Sequence, residues 1–296
     1  MLTTKTKVAL ASLAYRCISG ARAIVGKDNS VIVNRGGVRW SLDLAEGIDF
    51  SIYLLGAFEP STAATIQKLV KPGDVALDIG ANVGAHTLGL ARSVGPQGRV
   101  FALEPTDFAF EKLQRNLALN PDLAGRIVAS QILLAASAGA DHSQPQIYAS
   151  WPLENTGGVH PKHRGRLATT RNACIDTLDL FAASHNIDRL DFIKIDVDGH
   201  ELPVLRGGLG LLTNLRAVLL MEMSPYVHAE EQNSFADLVA LLRDAAYAIQ
   251  DAATWRPLPL DAAKLERLIP DGASINVIAR PATLNSTRQN NDAAKK

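Results

Sequence analysis

From Pro72 to Thr87 the chain reads Pro-Gly-Asp-Val-Ala-Leu-Asp-Ile-Gly-Ala-Asn-Val-Gly-Ala-His-Thr. An apolar run ends at Asp78, and a turn containing Gly80 and Gly84 leads into a helical stretch. Glycine permits positive φ and lets a ligand approach the backbone without meeting a Cβ. The helix start adds free N–H groups that favour an anionic ligand group. The spacing is G-x-x-x-G, not the G-x-G-x-x-G of pyrophosphate-binding turns. An acid at the strand tip repels the phosphates of a dinucleotide and suits an amine or a sulfonium instead. S-adenosylmethionine carries both. A second apolar run, Phe101-Ala102-Leu103, ends in Glu104-Pro105, with Glu104 standing 24 residues after Gly80. A carboxylate there can accept both ribose hydroxyls of a nucleoside, in hydrogen bonds strengthened by charge.

A second dense cluster is Asp191-Phe192-Ile193-Lys194-Ile195-Asp196-Val197-Asp198-Gly199-His200-Glu201. Strand alternation puts Lys194 and Asp196 on one face and Ile193 and Ile195 on the other. Charges inside an apolar strand are expected to be paired or functional, because isolated buried charge is costly. Asp196 lies at a strand end of the kind that lines a ligand crevice, and it is the candidate general base. Asp198 and Glu201 fit a capping-box start for the helix that follows. A competing role for Asp196, Asp198, His200 or Glu201 is ligation of a divalent cation; the expectation is no metal. Glu222, placed at the tip of the next apolar strand, is a further candidate acid. His160, His163, Arg164 and Arg166 belong either to a solvated loop or to a lid facing an anionic or sugar substrate.

These residues need strands to carry them. Short apolar runs at Val75–Leu77, Val100–Leu103, Ile127–Leu134, Phe192–Ile195, Ala217–Met221 and Ile275–Ile278 alternate with helical stretches. That rhythm predicts an α/β, doubly wound, mostly parallel sheet covered on both faces. Ahead of it, Val31–Val33 and Val38–Leu44 flank Arg35-Gly36-Gly37 as a hairpin, and Thr62–Leu69 is helical. The first segment, Val8–Tyr15, reads as a poorly anchored N-terminal helix rather than a short signal. Residues 144–170 form an irregular insertion or extended hairpin. The expected organisation is an annex over residues 1–60, a ligand-binding domain over 61–280 and a disordered tail over 281–296, which is too polar to offset its ordering entropy.

Composition narrows the function. In 296 residues there are 30 Lys+Arg against 30 Asp+Glu, so a nucleic-acid partner, which needs clustered positive charge, is not expected. Aromatics make up 5%, which also disfavours base-stacking platforms. No apolar run approaches the ~20 residues of a membrane span. The two cysteines, Cys17 and Cys174, provide neither a disulfide framework nor a zinc spacing. A cytoplasmic location is expected.

Taken in order, Asp78-Ile79-Gly80-Ala81-Asn82-Val83-Gly84, then Leu103-Glu104-Pro105, then Ile193 through Glu201, resemble the FkbM-type methyltransferases of the class I S-adenosylmethionine-dependent group. The similarity continues through Leu42-Asp43-Leu44, Gly47-Ile48-Asp49, Gly56-Ala57-Phe58-Glu59, Leu205-Arg206-Gly207-Gly208 and Met221-Glu222. The resemblance implies a seven-stranded Rossmann-like sheet with one antiparallel strand. It implies a cofactor set of Asp78, Gly80, Ala81, Asn82, Gly84, Glu104 and Pro105, the turn around the methionine part and Glu104 on the ribose. It also implies O-methylation of a small molecule or carbohydrate. Where the family usually has Glu before the Gly of its lysine motif this chain has Asp198, and His200 replaces a commonly small residue. In-line methyl transfer needs an aligned acceptor oxygen and gains from a base. Asp196 is assigned that role, with Lys194 or Glu222 shaping its charge. The competing functions are a cofactor-binding scaffold without turnover and, disfavoured by the glycine spacing, a nicotinamide-dependent dehydrogenase.

Overall fold

The computed structural model describes residues 4–139, 147–154, 157–159, 165–230 and 233–282. The chain opens with helix α1 (Thr4–Ile24), the hairpin β1 (Ser30–Arg35) and β2 (Val38–Asp43), and helices α2 (Gly47–Leu55) and α3 (Pro60–Leu69). The first α/β units are β3 (Val75–Ile79), α4 (Thr87–Val94), β4 (Arg99–Leu103), α5 (Asp107–Ala118), α6 (Pro121–Ala124) and β5 (Ile127–Ser130). A peripheral group follows: β6 (Ile132–Leu134), β7 (Ile147–Ser150), β8 (Arg166–Ala168), β9 (Cys174–Asp176) and α7 (Leu178–Ser184). The second half holds β10 (Phe192–Ile195), α8 (Glu201–Arg206), α9 (Leu209–Leu215), β11 (Val218–Met223), α10 (Pro225–Glu230) and α11 (Phe235–Asp244). It closes with β12 (Tyr247–Asp251), β13 (Pro257–Leu258), α12 (Ala262–Leu268) and β14 (Ile275–Pro281).

The main sheet runs β13-β12-β14-β11-β10-β3-β4-β5. Strands β5, β4, β3, β10 and β11 are parallel, and β14 enters antiparallel between β11 and β12. The seven expected strands are therefore present, and the two-residue β13 adds an eighth at the edge. Parallel strands buried on both faces need apolar residues at nearly every position. Leu77, Ile79, Leu103, Ile193, Ile195, Leu219 and Met221 fill one face, and Ala76, Val100, Phe192, Leu220 and Ile278 fill the other against α3 and α4. Asp78 and Lys194 replace apolar residues on that second face. They are also register partners across β3 and β10.

Several boundaries differ from the sequence expectation. Ile127–Leu134 is two strands. The β4–β5 ladder closes on the Glu104 N–H bonded to the Ser130 carbonyl at 3.2 Å, and the next residue, Pro105, has no N–H to extend it. The chain leaves the sheet, and β6 pairs in parallel with β9. Strand β11 continues past Met221, so Glu222 sits within the strand opposite Asn276 rather than at its tip. Helix α1 is longer than Val8–Tyr15 and is anchored, since Tyr15 is buried, packs edge-on against Phe50 and accepts from Asn29.

The annex packs against the first α/β units. Trp40, Leu42, Leu44, Phe50 and Ile52 share one apolar cluster with Ala81, Val83, Leu88 and Leu113. The insertion is a hairpin of β7 and β8, joined to the annex by Gly47 N–H to Trp151 O and Leu153 N–H to Ala45 O. His160, His163, Arg164 and residues 283–296 of the expected tail lie outside the described residues. No described helix is long and apolar enough to cross a membrane. Both cysteines are exposed and unpaired.

Candidate active site

Parallel strands present their carboxyl ends along one edge, and a crevice opens where neighbouring crossovers diverge. Here β3 and β10 end side by side, with the Asp196 N–H bonded to Ile79 O at 3.1 Å. A cavity of about 800 Å³ opens at this point, lined by Gly80–Asn82, Glu104–Pro105, Lys194 and Asp196–Asp198, and by Glu222 from β11. The annex closes it with α2 and Phe58–Thr62, and the insertion adds Ile147–Ala149 and Trp151–Leu153.

Gly80 has φ +78°, and a Cβ built on it would stand 1.9 Å from the backbone oxygen of Asp196. The glycine is therefore required first by the neighbouring strand end. Gly84 (φ +88°) is likewise fixed by packing, since its Cβ would come within 2.8 Å of Leu113 on α5. Gly84 does not line the cavity, and neither does Asp78. Asp78, expected beside the methionine part of the cofactor, lies fully buried behind the wall. It accepts from the Thr87 hydroxyl at 2.6 Å and pairs with Lys194 at 3.6 Å.

Lys194 is the hub. Its Nζ lies 3.3 Å from Asp196, 3.6 Å from Asp78 and 3.3 Å from the Gly80 carbonyl. Burial pulls its ammonium down, but Asp196 and Asp78 outweigh burial and hold it above the ordinary lysine range. The cation thus stays charged and fixes the Asp196 carboxylate at the cavity.

Glu104 is buried yet lines the cavity. One of its oxygens accepts from the Asn82 N–H at 2.9 Å. The other accepts from the Thr106 N–H at 2.9 Å and its hydroxyl at 2.5 Å. Burial raises its pKa, and these donors partly offset that. Asn82 itself takes a left-handed φ of +48°. Ala81 and Pro105 complete this part of the wall.

Asp198 does not cap α8. It has φ +46° and faces the cavity, while the cap position belongs to His200. An Asp-Gly pair with both φ values positive is a tight turn, and Gly199 has φ +92°. Glu201 is buried at the helix start, within 3.2 Å of His228. It also accepts long bonds of 3.4 Å from the N–H groups of Val197 and Gly199, so it holds the turn together from outside the cavity. One oxygen each of Asp196, Asp198 and Glu222 lie within 4.8 Å of one another. Burial and the charge of Asp196 lift Asp198 to about 8 and Glu222 well above the usual glutamate range. Glu222 also accepts from the Ser274 hydroxyl. His200 lines the cavity with its Nδ1 3.2 Å from Val197 O. Arg166 sits on β8, away from the cavity lining.

Among the lining residues that escaped the sequence are His86 and Glu59. His86 is buried at the start of α4 with Nε2 unbonded, and burial, then Lys194, lowers it to about 4. Helical periodicity absorbed it. Glu59 takes a left-handed φ of +44° ahead of α3 and accepts from the Thr62 hydroxyl. Its signal was the Glu-Pro step into a helix.

The methyltransferase FkbM domain profile matches residues 78–249, from the tip of β3 into β12. The chain is 28% identical over 149 residues to the hexuronic acid methyltransferase AglP of Haloferax volcanii, covering 50% of this chain and 55% of that protein. It therefore spans little over half the length of that relative. It is 29% identical over 210 residues to methyltransferase sdnD of Sordaria araneosa, covering 61% of this chain and 76% of the other. A solved structure of methyltransferase FkbM from Methylobacillus flagellatus aligns with a TM-score of 0.42 at 17% identity, over 73% of this chain and 50% of that one. Because one family domain takes in the glycine turn, Glu104 and the Lys194–Asp196 pair together, over more than half of its residues, this chain belongs to the FkbM methyltransferase family.

Proposed function

We propose that the chain is an S-adenosylmethionine-dependent methyltransferase that O-methylates a hydroxyl of a small-molecule or sugar-type acceptor. The observation that carries this is the placing of the Glu104 carboxylate and the Asp196–Lys194 pair on one cavity. The residues fit a cationic nucleoside. Glu104 offers an ionisable acceptor at the end of β4, the lining is acidic, and about 800 Å³ falls in the upper part of the range for small-molecule sites. Glu104 and Pro105 would hold the ribose side, and Gly80, Ala81 and Asn82 the methionine side. When bound, the cofactor supplies a methyl group made electrophilic by its sulfonium. Asp196 takes the proton of the acceptor hydroxyl, and Lys194 pairs with that carboxylate and orients it. The annex and the insertion narrow the cavity.

Among the described lining residues the acids are Glu59, Glu104, Asp196, Asp198, Glu222 and Asp251, of which Asp198 and Glu222 are raised in pKa, and Lys194 is the one lysine or arginine. Lys194 is already paired with two carboxylates. This balance favours an uncharged acceptor over a uronate, whose carboxylate would meet acids. The test is calorimetry with S-adenosylhomocysteine, then labelled-methyl transfer to matched neutral glycosides and glucuronides. Binding with transfer to the neutral series is expected. Binding without transfer to any acceptor in a metabolite extract favours a scaffold. Binding of a nicotinamide dinucleotide in its place refutes the cofactor assignment.

A further inference from the structure

Helix α1 buries only one side. Tyr15 is buried, and Ala11, Ala14 and Ile18 pack beside it against the annex cluster. Leu10, Leu13, Cys17 and Ile24 fall on the other side at the i, i+3, i+7, i+14 spacing of a continuous helical stripe. Leu10, Leu13 and Ile24 are 56%, 62% and 87% exposed, and Val25 just beyond the helix is 65% exposed. Single exposed leucines are ordinary on a protein surface, but an ordered row of them marks an interaction site.

Charge selects the partner. The helix contains Lys5, Lys7, Arg16 and Arg22 and no acidic residue, and Lys27 follows it. Two copies packed stripe to stripe would pair helices that carry cations and no acid. An apolar stripe on a helix whose charged residues are all basic suits acidic headgroups above an acyl layer. The helix is also part of the cavity rim. Ala11 contributes to the lining, as do Leu54 and Leu55 at the end of α2, which remain 52% and 61% exposed. We propose that the outer face of α1 docks on an anionic lipid surface and sets the cavity mouth at headgroup level. The proposal is independent of the reaction catalysed.

The test is flotation of the full chain with vesicles of equimolar phosphatidylglycerol and phosphatidylcholine, against vesicles of phosphatidylcholine alone. Binding to the anionic vesicles, lost at high salt, is expected. Leu10→Ser with Leu13→Ser should lower the partition coefficient at least ~10-fold, the scale of one leucine kept in water. Arg16→Gln should lower it on anionic vesicles only. Both sites are exposed, so the variants should keep the wild-type melting temperature and affinity for S-adenosylhomocysteine. Absence of vesicle binding, or equal binding to the neutral vesicles, overturns the proposal. Sedimentation showing a dimer that the double serine variant dissociates gives the face to a second copy and also overturns it.

Discussion

Glu104→Gln separates ribose recognition from the architecture of the turn. Glu104 sits 4% exposed and already accepts three hydrogen bonds, one on the oxygen facing Asn82 and two on the oxygen facing Thr106. A carboxylate offers about four acceptor positions. Roughly one therefore remains for a ligand, on the Asn82 side, unless the Thr106 hydroxyl swings away. The two-hydroxyl grip expected from sequence thus reduces to one charged hydrogen bond, which contributes about 1.5–3 kcal/mol. Substitution by the isosteric amide should weaken S-adenosylhomocysteine binding by roughly 10- to 150-fold in calorimetry. The amide also turns its NH2 toward one of the backbone donors, so some loss of melting temperature is expected and is measured separately. The decisive step is a cycle with cofactor analogues lacking one ribose hydroxyl. Wild type should lose affinity for the analogue that lacks the bonded hydroxyl, and the Gln variant should lose little more. Because burial raises the Glu104 pKa, the ionised acceptor disappears as pH falls through that raised value, and wild-type affinity should fall with it. Full additivity in the cycle would refute the ribose assignment, however large the single-variant effect.

Asp196→Asn should retain near-normal S-adenosylhomocysteine affinity and lose at least ~100-fold in labelled-methyl turnover, the scale of a removed general base; full activity would pass the role to Glu222 or His86. Wild-type turnover should survive EDTA, since Lys194 already neutralises Asp196 and burial favours protons on Asp198 and Glu222; loss restored by magnesium would make these three carboxylates a cation site. Gly80→Ala should destabilise by about 2–5 kcal/mol in urea unfolding, combining left-handed strain with overpacking against the Asp196 carbonyl; an unchanged midpoint would show that the strand end yields freely. Asp198 is raised from 3.8 to about 8, so the folded chain holds a proton that the unfolded chain releases, and stability declines as pH rises across that window. Asp198→Asn should therefore raise the melting temperature above about pH 8 and change it little near pH 4, and an equal difference at both ends would contradict the assignment.

The strands that carry the site were legible because a parallel strand covered on both faces has almost no polar positions, so Asp78 and Lys194 stood out as exceptions. What each exception meets was not legible. Lys194 faces Asp78 through a register between β3 and β10 that joins residues 116 apart, and no local pattern carries that pairing. Asp198 was misplaced for a related reason. Asp-x-x-Glu ahead of an apolar run has the spacing of a capping box, yet the Asp-Gly step at Asp198-Gly199 is itself a turn signal, and the left-handed backbone of both residues let it prevail. His86 left no trace, because a polar residue entering a helix looks solvated until the annex is folded over it.

The same register makes the two sequence motifs one electrostatic unit. A single ammonium bonds the Gly80 carbonyl at the turn proposed to hold the cofactor and pairs with Asp196, the proposed base, while Asp78 holds it from behind. Asp78 thus acts through Lys194 from behind the cavity wall. Its charge keeps Lys194 on the apolar face of β10, where an unpaired lysine would be expelled or deprotonated. Gly80 completes the arrangement by letting the Asp196 carbonyl approach where any Cβ would block it. The pairing of β3 with β10 holds the glycine turn and Asp196 at a fixed separation, and the proposed in-line transfer depends on that separation.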